Sequence, residues 1–150
     1  MSVKDTLEAA LKQAMRDKDE MKRNSLRLAL STMKLAEVDA GKELDDLAVF
    51  ALLQKEIKTK EETIAEAIKG GRNEMAASLQ PEIDFLKEFL PKELSDSELS
   101  DLVKLAIQET GAQTIKEMGK VMKIAIDKAA GQASNDRISK IVKEILTTEK

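Results

Sequence analysis

The chain has 150 residues, 42% apolar and 35% charged, with 25 Lys/Arg against 28 Asp/Glu for a net charge of −3. It contains neither Cys nor His, which excludes disulfides, zinc–thiolate sites and thiol nucleophiles and removes the commonest general base and metal ligand. No apolar run approaches the roughly 20 residues of a membrane span, and Met1-Ser2-Val3-Lys4-Asp5 leads into charge rather than a signal-peptide core, so a cytoplasmic protein of one or two small domains is expected.

The first helix is expected from about Ser2 to Arg16, with Val3, Leu7, Ala10, Leu11, Ala14 and Met15 on one face and Ser2 and Asp5 able to cap it. After the polar turn Asp17-Lys18-Asp19, a second helix from about Glu20 carries Leu26, Leu30, Met33 and Glu37 on one stripe and Leu28 and Leu35 on another. Two stripes imply burial between neighbours. Gly41 suits the left-handed residue that ends a helix. Asp45 or Asp46 then caps a third helix reaching Gly70-Gly71, with Phe50, Leu53, Ile57, Ile64 and Ile68 as its expected core stripe. A fourth, from about Asn73 to Phe89, contains Pro81, where either a kink, the preferred reading, or a break at Leu79-Gln80 with Pro81 restarting the helix is expected, because proline removes an amide donor and crowds the preceding turn.

Phe89-Leu90-Pro91-Lys92-Glu93-Leu94-Ser95 separates the chain into an N-terminal unit, 1–91, and a C-terminal unit, 92–150. Pro91 biases Leu90 out of the helical region, and Ser95 with Glu98 forms a capping-box pattern flanked by Leu94 and Leu99. Three short helices follow. One runs from Ser95 to Thr110 and stops at Gly111; the next, from Thr114 to Ala130, opens on a second Thr114/Glu117 box and stops at Gly131. The last is capped by Ser134 or Asn135 and buries Ile138, Ile141, Val142, Ile145 and Leu146. The expected fold is all-α, a helical bundle followed by a small three-helix tail joined by a hinge near Leu90 to Ser95.

Charge is uneven within the tail. From Glu93 to Thr114 there are 5 Asp/Glu against Lys104, a local −4, whereas from Ile115 to Lys143 there are 7 Lys/Arg against 3 Asp/Glu, a local +4. An ordinary solvated surface gives such runs. So does a phosphate-binding face, for which the candidates are Lys116, Lys120, Lys123, Lys128, Arg137 and Lys140, forming one patch if the acidic helix lies behind them. Gly119 sits among them in a helical segment. Either it admits a close-packed neighbouring helix, or its bare backbone lets a ligand phosphate or another chain approach.

Phe89-Leu90-Pro91 followed by Leu94-Ser95 and Glu98-Leu99, then Met118-Gly119-Lys120-Val121-Met122 and Gly131-Gln132-Ala133, resembles the YqeY proteins. Arg27, Glu37, Lys58 with Lys60, and Gly71-Arg72 extend the resemblance to the N-terminal unit, while Pro81, Lys60 and Ser134-Asn135 depart from the family pattern. The tail of such proteins is similar to the tail domain of the B subunit of the tRNA-dependent amidotransferase, a glutamine-dependent carbon–nitrogen ligase. The resemblance thus implies a tRNA-binding accessory module or, alternatively, a protein-interaction helper of the translation or amidation machinery. No Walker-type loop or amidase core is visible and no spacing joins a nucleophile to a base, so no catalytic residue, cofactor or metal is assigned.

Overall fold

Short polar caps and glycines set most of the helix ends. In the computed structural model, which describes residues 2–148, the chain divides after Leu90 into two compact helical units. The N-terminal unit comprises α1 (Val3–Arg16), α2 (Glu20–Ala40), α3 (Asp46–Lys69) and α4 (Asn73–Lys87). Ser2 Oγ accepts the Asp5 amide at 3.1 Å while Asp5 accepts the Ser2 amide at 3.2 Å, so both capping residues work reciprocally. Asp19 and Asp45 each accept an amide three residues on, and Gly41 closes α2 at φ 69°. α1 packs on α2 and α3 on α4, and the two pairs enclose Leu7, Leu26, Met33, Leu53, Ile83 and Leu86, none more than 1% exposed. Each such side chain is worth about 1.5–3 kcal/mol of burial.

Four expectations are corrected here, the first being that Met15 belongs to the buried face of α1: it stands at the edge of the stripe centred on Leu7 and Ala14 and is 51% exposed. Leu28 and Leu35 are 53% and 68% exposed, and Val38 beside them 71%, because α2 turns Ser25, Leu26, Ala29 and Met33 toward α1, α3 and α4 and its opposite side is left uncovered. On α3 the core stripe is Val49, Leu53, Ile57 and Ala67. Phe50 and Ile64 are half-buried and Ile68 is exposed. α4 ends at Lys87 rather than Phe89: the amides of Glu88, Phe89 and Leu90 each bond a carbonyl three residues back, tightening the chain toward Pro91. Pro81 stays inside α4, which runs through it as one helix. Phe85 and Phe89 pack edge to face at 5.3 Å.

The C-terminal unit comprises α5 (Asp96–Thr110), a single 3-10 turn (Ile115–Glu117), α6 (Met118–Ala129) and α7 (Asn135–Thr148). The Ser95/Glu98 box forms in both directions, at 3.1 and 3.0 Å. Leu99, Val103, Val121, Ala125, Ile138 and Val142 are fully buried, and the small Ala106, Ala125 and Ala129 let the three helices approach closely. The second box does not form. Thr114 makes no side-chain cap, and Glu117, at φ −93° and ψ 6°, separates the 3-10 turn from α6. α6 closes on Ala130, itself left-handed at φ 48°, one residue before Gly131. Ser134 caps α7 by accepting the Arg137 amide at 3.2 Å, and the Leu94 amide reaches the Gln132 carbonyl at 2.8 Å. Among the described residues all regular structure is helical.

Candidate nucleic-acid interface

α6 turns Val121, Ala125 and Ala129 inward, which places Lys120 and Lys123, one turn apart, on its exposed side. Neither makes an ion pair among the described residues. Asp127 stands one turn beyond Lys123 on the same side and tempers the stripe's charge. Gly119 is the second residue of α6 and exposed. A Cβ built on it meets nothing within 4 Å, so close packing of a neighbouring helix does not explain it.

The other candidates are placed differently. Lys116 lies in the 3-10 turn, exposed, and the break at Glu117 takes it off the regular face of α6. Lys140 is exposed on α7. Lys140 stands on a different helix of the bundle from Lys120 and Lys123. Lys128 Nζ is held 2.7 Å from Glu109 Oε1. Arg137 Nη2 donates to the Leu94 carbonyl at 2.9 Å and to Asp96 Oδ1 at 3.1 Å. The acidic α5 therefore engages two of the basic side chains directly, and Lys120 and Lys123 share one exposed helix face. The tertiary role of Arg137 was invisible in the sequence, since 43 residues separate it from Leu94.

Outside this unit, the Glu37 carboxylate accepts Lys4 Nζ at 2.9 Å and the Leu44 amide at 3.0 Å, and these bonds, the Lys4 one first, hold it below the ordinary glutamate range. Among the described residues no group of three acidic side chains is arranged to hold a metal ion, and no helix is long and apolar enough to cross a membrane.

These features define an all-helical protein of two units whose tail unit is a three-helix bundle with an exposed lysine pair. The model of the Yqey-like proteins matches residues 4–146, and the chain belongs to the YqeY family. It is 30% identical over 125 residues to Altered inheritance of mitochondria protein 41, mitochondrial, of Saccharomyces cerevisiae, covering 77% of this chain and 68% of that protein. The proteins of the same name from Lachancea thermotolerans and Vanderwaltozyma polyspora are 35% and 32% identical over 85 residues, 56% of this chain. In those two the match spans 46%, about half, of the relative's length. The expectation of a cytoplasmic protein is overturned by these relatives, which are named as mitochondrial. Its physical basis was weak: the composition of folded helical units is the same in any aqueous compartment.

Proposed function

We propose that the C-terminal unit is a tRNA-binding accessory module that grips backbone phosphates through Lys120 and Lys123, with the open backbone at Gly119 allowing close approach. The observation that carries this reading is the lysine pair itself, exposed, one turn apart and free of ion pairs among the described residues, next to a glycine with empty space above it. Binding of this kind reads RNA shape and charge and needs no aromatic platform. The test is a titration of tRNA at several salt concentrations against the wild type, Lys120→Glu/Lys123→Glu and Lys128→Ala. The double variant should flatten the log–log salt slope by about 1.4 to 1.8, two phosphate contacts' worth, while Lys128→Ala leaves it unchanged. Equal, weak, salt-independent binding by wild type and double variant rejects the reading.

A second reading, a protein-interaction helper of the translation or amidation machinery, is favoured by the exposed Leu28, Leu35 and Val38 on α2. Leu35→Glu separates the two readings, because it removes a protein contact and leaves the salt slope with tRNA untouched.

A further inference from the structure

The α1–α2 corner contains a hollow of about 310 Å³ lined by Ala14, Met15, Lys18, Glu20, Arg23 and Arg27. Two of the lining residues are apolar, with Ala14 buried, and the other four are three cations against one carboxylate. Lys18 and Arg27 make no ion pair among the described residues, and Arg23 has only a long 3.4 Å contact from Nε to Asn24 Oδ1. The adjacent acids do not close over these cations, since Asp17 accepts from the Gln13 amide group at 3.0 Å and Asp19 from the Lys22 backbone at 3.1 Å.

Lys18 occupies an unusual backbone position. The Lys18 amide bonds the Met15 carbonyl and the Asp19 amide the Ala14 carbonyl, which is the Schellman closure of α1, with Lys18 at the left-handed position, φ 56°. Glycine takes that conformation without strain, and a lysine there holds its ammonium group beside the hollow at a conformational cost. Arg23 and Arg27 are four residues apart on α2, so their guanidinium forks lie on neighbouring turns.

We propose that this hollow is a binding site for a phosphate group, with Lys18, Arg23 and Arg27 as donors to its oxygens. Three cations lining one hollow repel one another until an anion bridges them, and charge-assisted bonds from guanidinium forks match phosphate geometry. A free phosphate or phosphomonoester and the phosphodiester of a nucleic-acid strand present the same chemistry here. The site lies in the N-terminal unit and stands apart from the reading of Lys120 and Lys123, so its failure leaves that reading as it was.

The test follows the Nε–H resonances of Arg23 and Arg27 by NMR in the full chain, during titration at constant ionic strength with inorganic phosphate and, separately, with a short oligouridylate; chloride is the control. Saturable shifts with inorganic phosphate assign the site to a free phosphate or phosphomonoester, and saturation with the oligonucleotide alone assigns it to a phosphodiester. Lys18→Gly is the informative variant: it removes a donor and relieves the backbone, so phosphate binding should weaken by about tenfold while the thermal midpoint does not fall. Glu20→Gln should tighten binding by removing the opposing charge. Unsaturable drift with both ligands, or wild-type binding by both Lys18→Gly and Arg27→Gln, overturns the proposal.

Discussion

Arg137 donates one guanidinium nitrogen to both the Leu94 carbonyl, at 2.9 Å, and Asp96 Oδ1, at 3.1 Å, fastening the start of the C-terminal unit to the first turn of α7. The two bonds are unequal in worth. Asp96 is 96% exposed, so that ion pair is screened, whereas the carbonyl lies in a half-buried setting where a charged donor counts. Arg137→Ala should therefore lower the stability of the unit by about 1–2 kcal/mol, measured by urea denaturation, without changing the salt slope of tRNA binding. A flattened slope with an unchanged midpoint would make Arg137 a phosphate contact instead.

Ser95→Ala removes one half of the reciprocal cap on α5 and should cost about 1 kcal/mol. The same urea midpoint reads it, and Ser95→Asp, which keeps an acceptor at the cap, should recover most of the loss. No loss in Ser95→Ala would mean that the cap contributes nothing in solution.

Glu56 has a buried Oε2 with no hydrogen-bond partner, and burial raises its carboxyl above the ordinary glutamate range against the smaller lowering effects of Thr32 and Lys60. Protonation removes the charge that burial penalises, so the neutral carboxyl is the form this site favours. The folded state then holds this proton more tightly than the unfolded one. Stability from this group is present below the ordinary glutamate pKa and lost as pH rises through the raised folded value. Glu56→Gln should accordingly stabilise the N-terminal unit at pH 7, by about 0.5 kcal/mol once solvent screening at a half-buried site is allowed for, and have a smaller effect at pH 4. A thermal-midpoint gain that is the same at both pH values would show that titration of Glu56 is not involved.

Gly119→Ala adds a methyl group to open space in a helical turn and should stabilise α6 by about 0.5–1 kcal/mol. If the same change abolishes tRNA binding, the bare backbone is in contact with the ligand. Unchanged affinity would leave the lysine pair as the whole of the grip.

Local signals were the ones that could be read from residues. Ser2, Asp45, Ser95, Gly41 and Gly111 act within four residues of themselves, so their capping roles follow from sequence and appear in the fold. Thr114 and Glu117 carry the same motif but fail, because the box requires a helical first turn and Ile115–Glu117 winds as a 3-10 turn. Periodicity finds apolar stripes without counting the neighbours available to cover them, which is why Leu28 and Leu35 were expected inside. The Lys128–Glu109 and Arg137–Leu94 contacts join separate helices, and no short-range pattern distinguishes a lysine or arginine so engaged from one left to solvent.

The edge-to-face pair of Phe85 and Phe89 makes the two units spectroscopically distinct. With no Trp or Tyr anywhere and all three Phe at positions 50, 85 and 89, the core around Val103, Val121 and Ile138 contains no aromatic ring. Methyl protons of the N-terminal core that these rings shift upfield report on that unit, and their disappearance on heating follows its melting. A single tryptophan placed in the tail gives the other half a fluorescence signal with no background, so the two unfolding events can be timed separately in one intact chain.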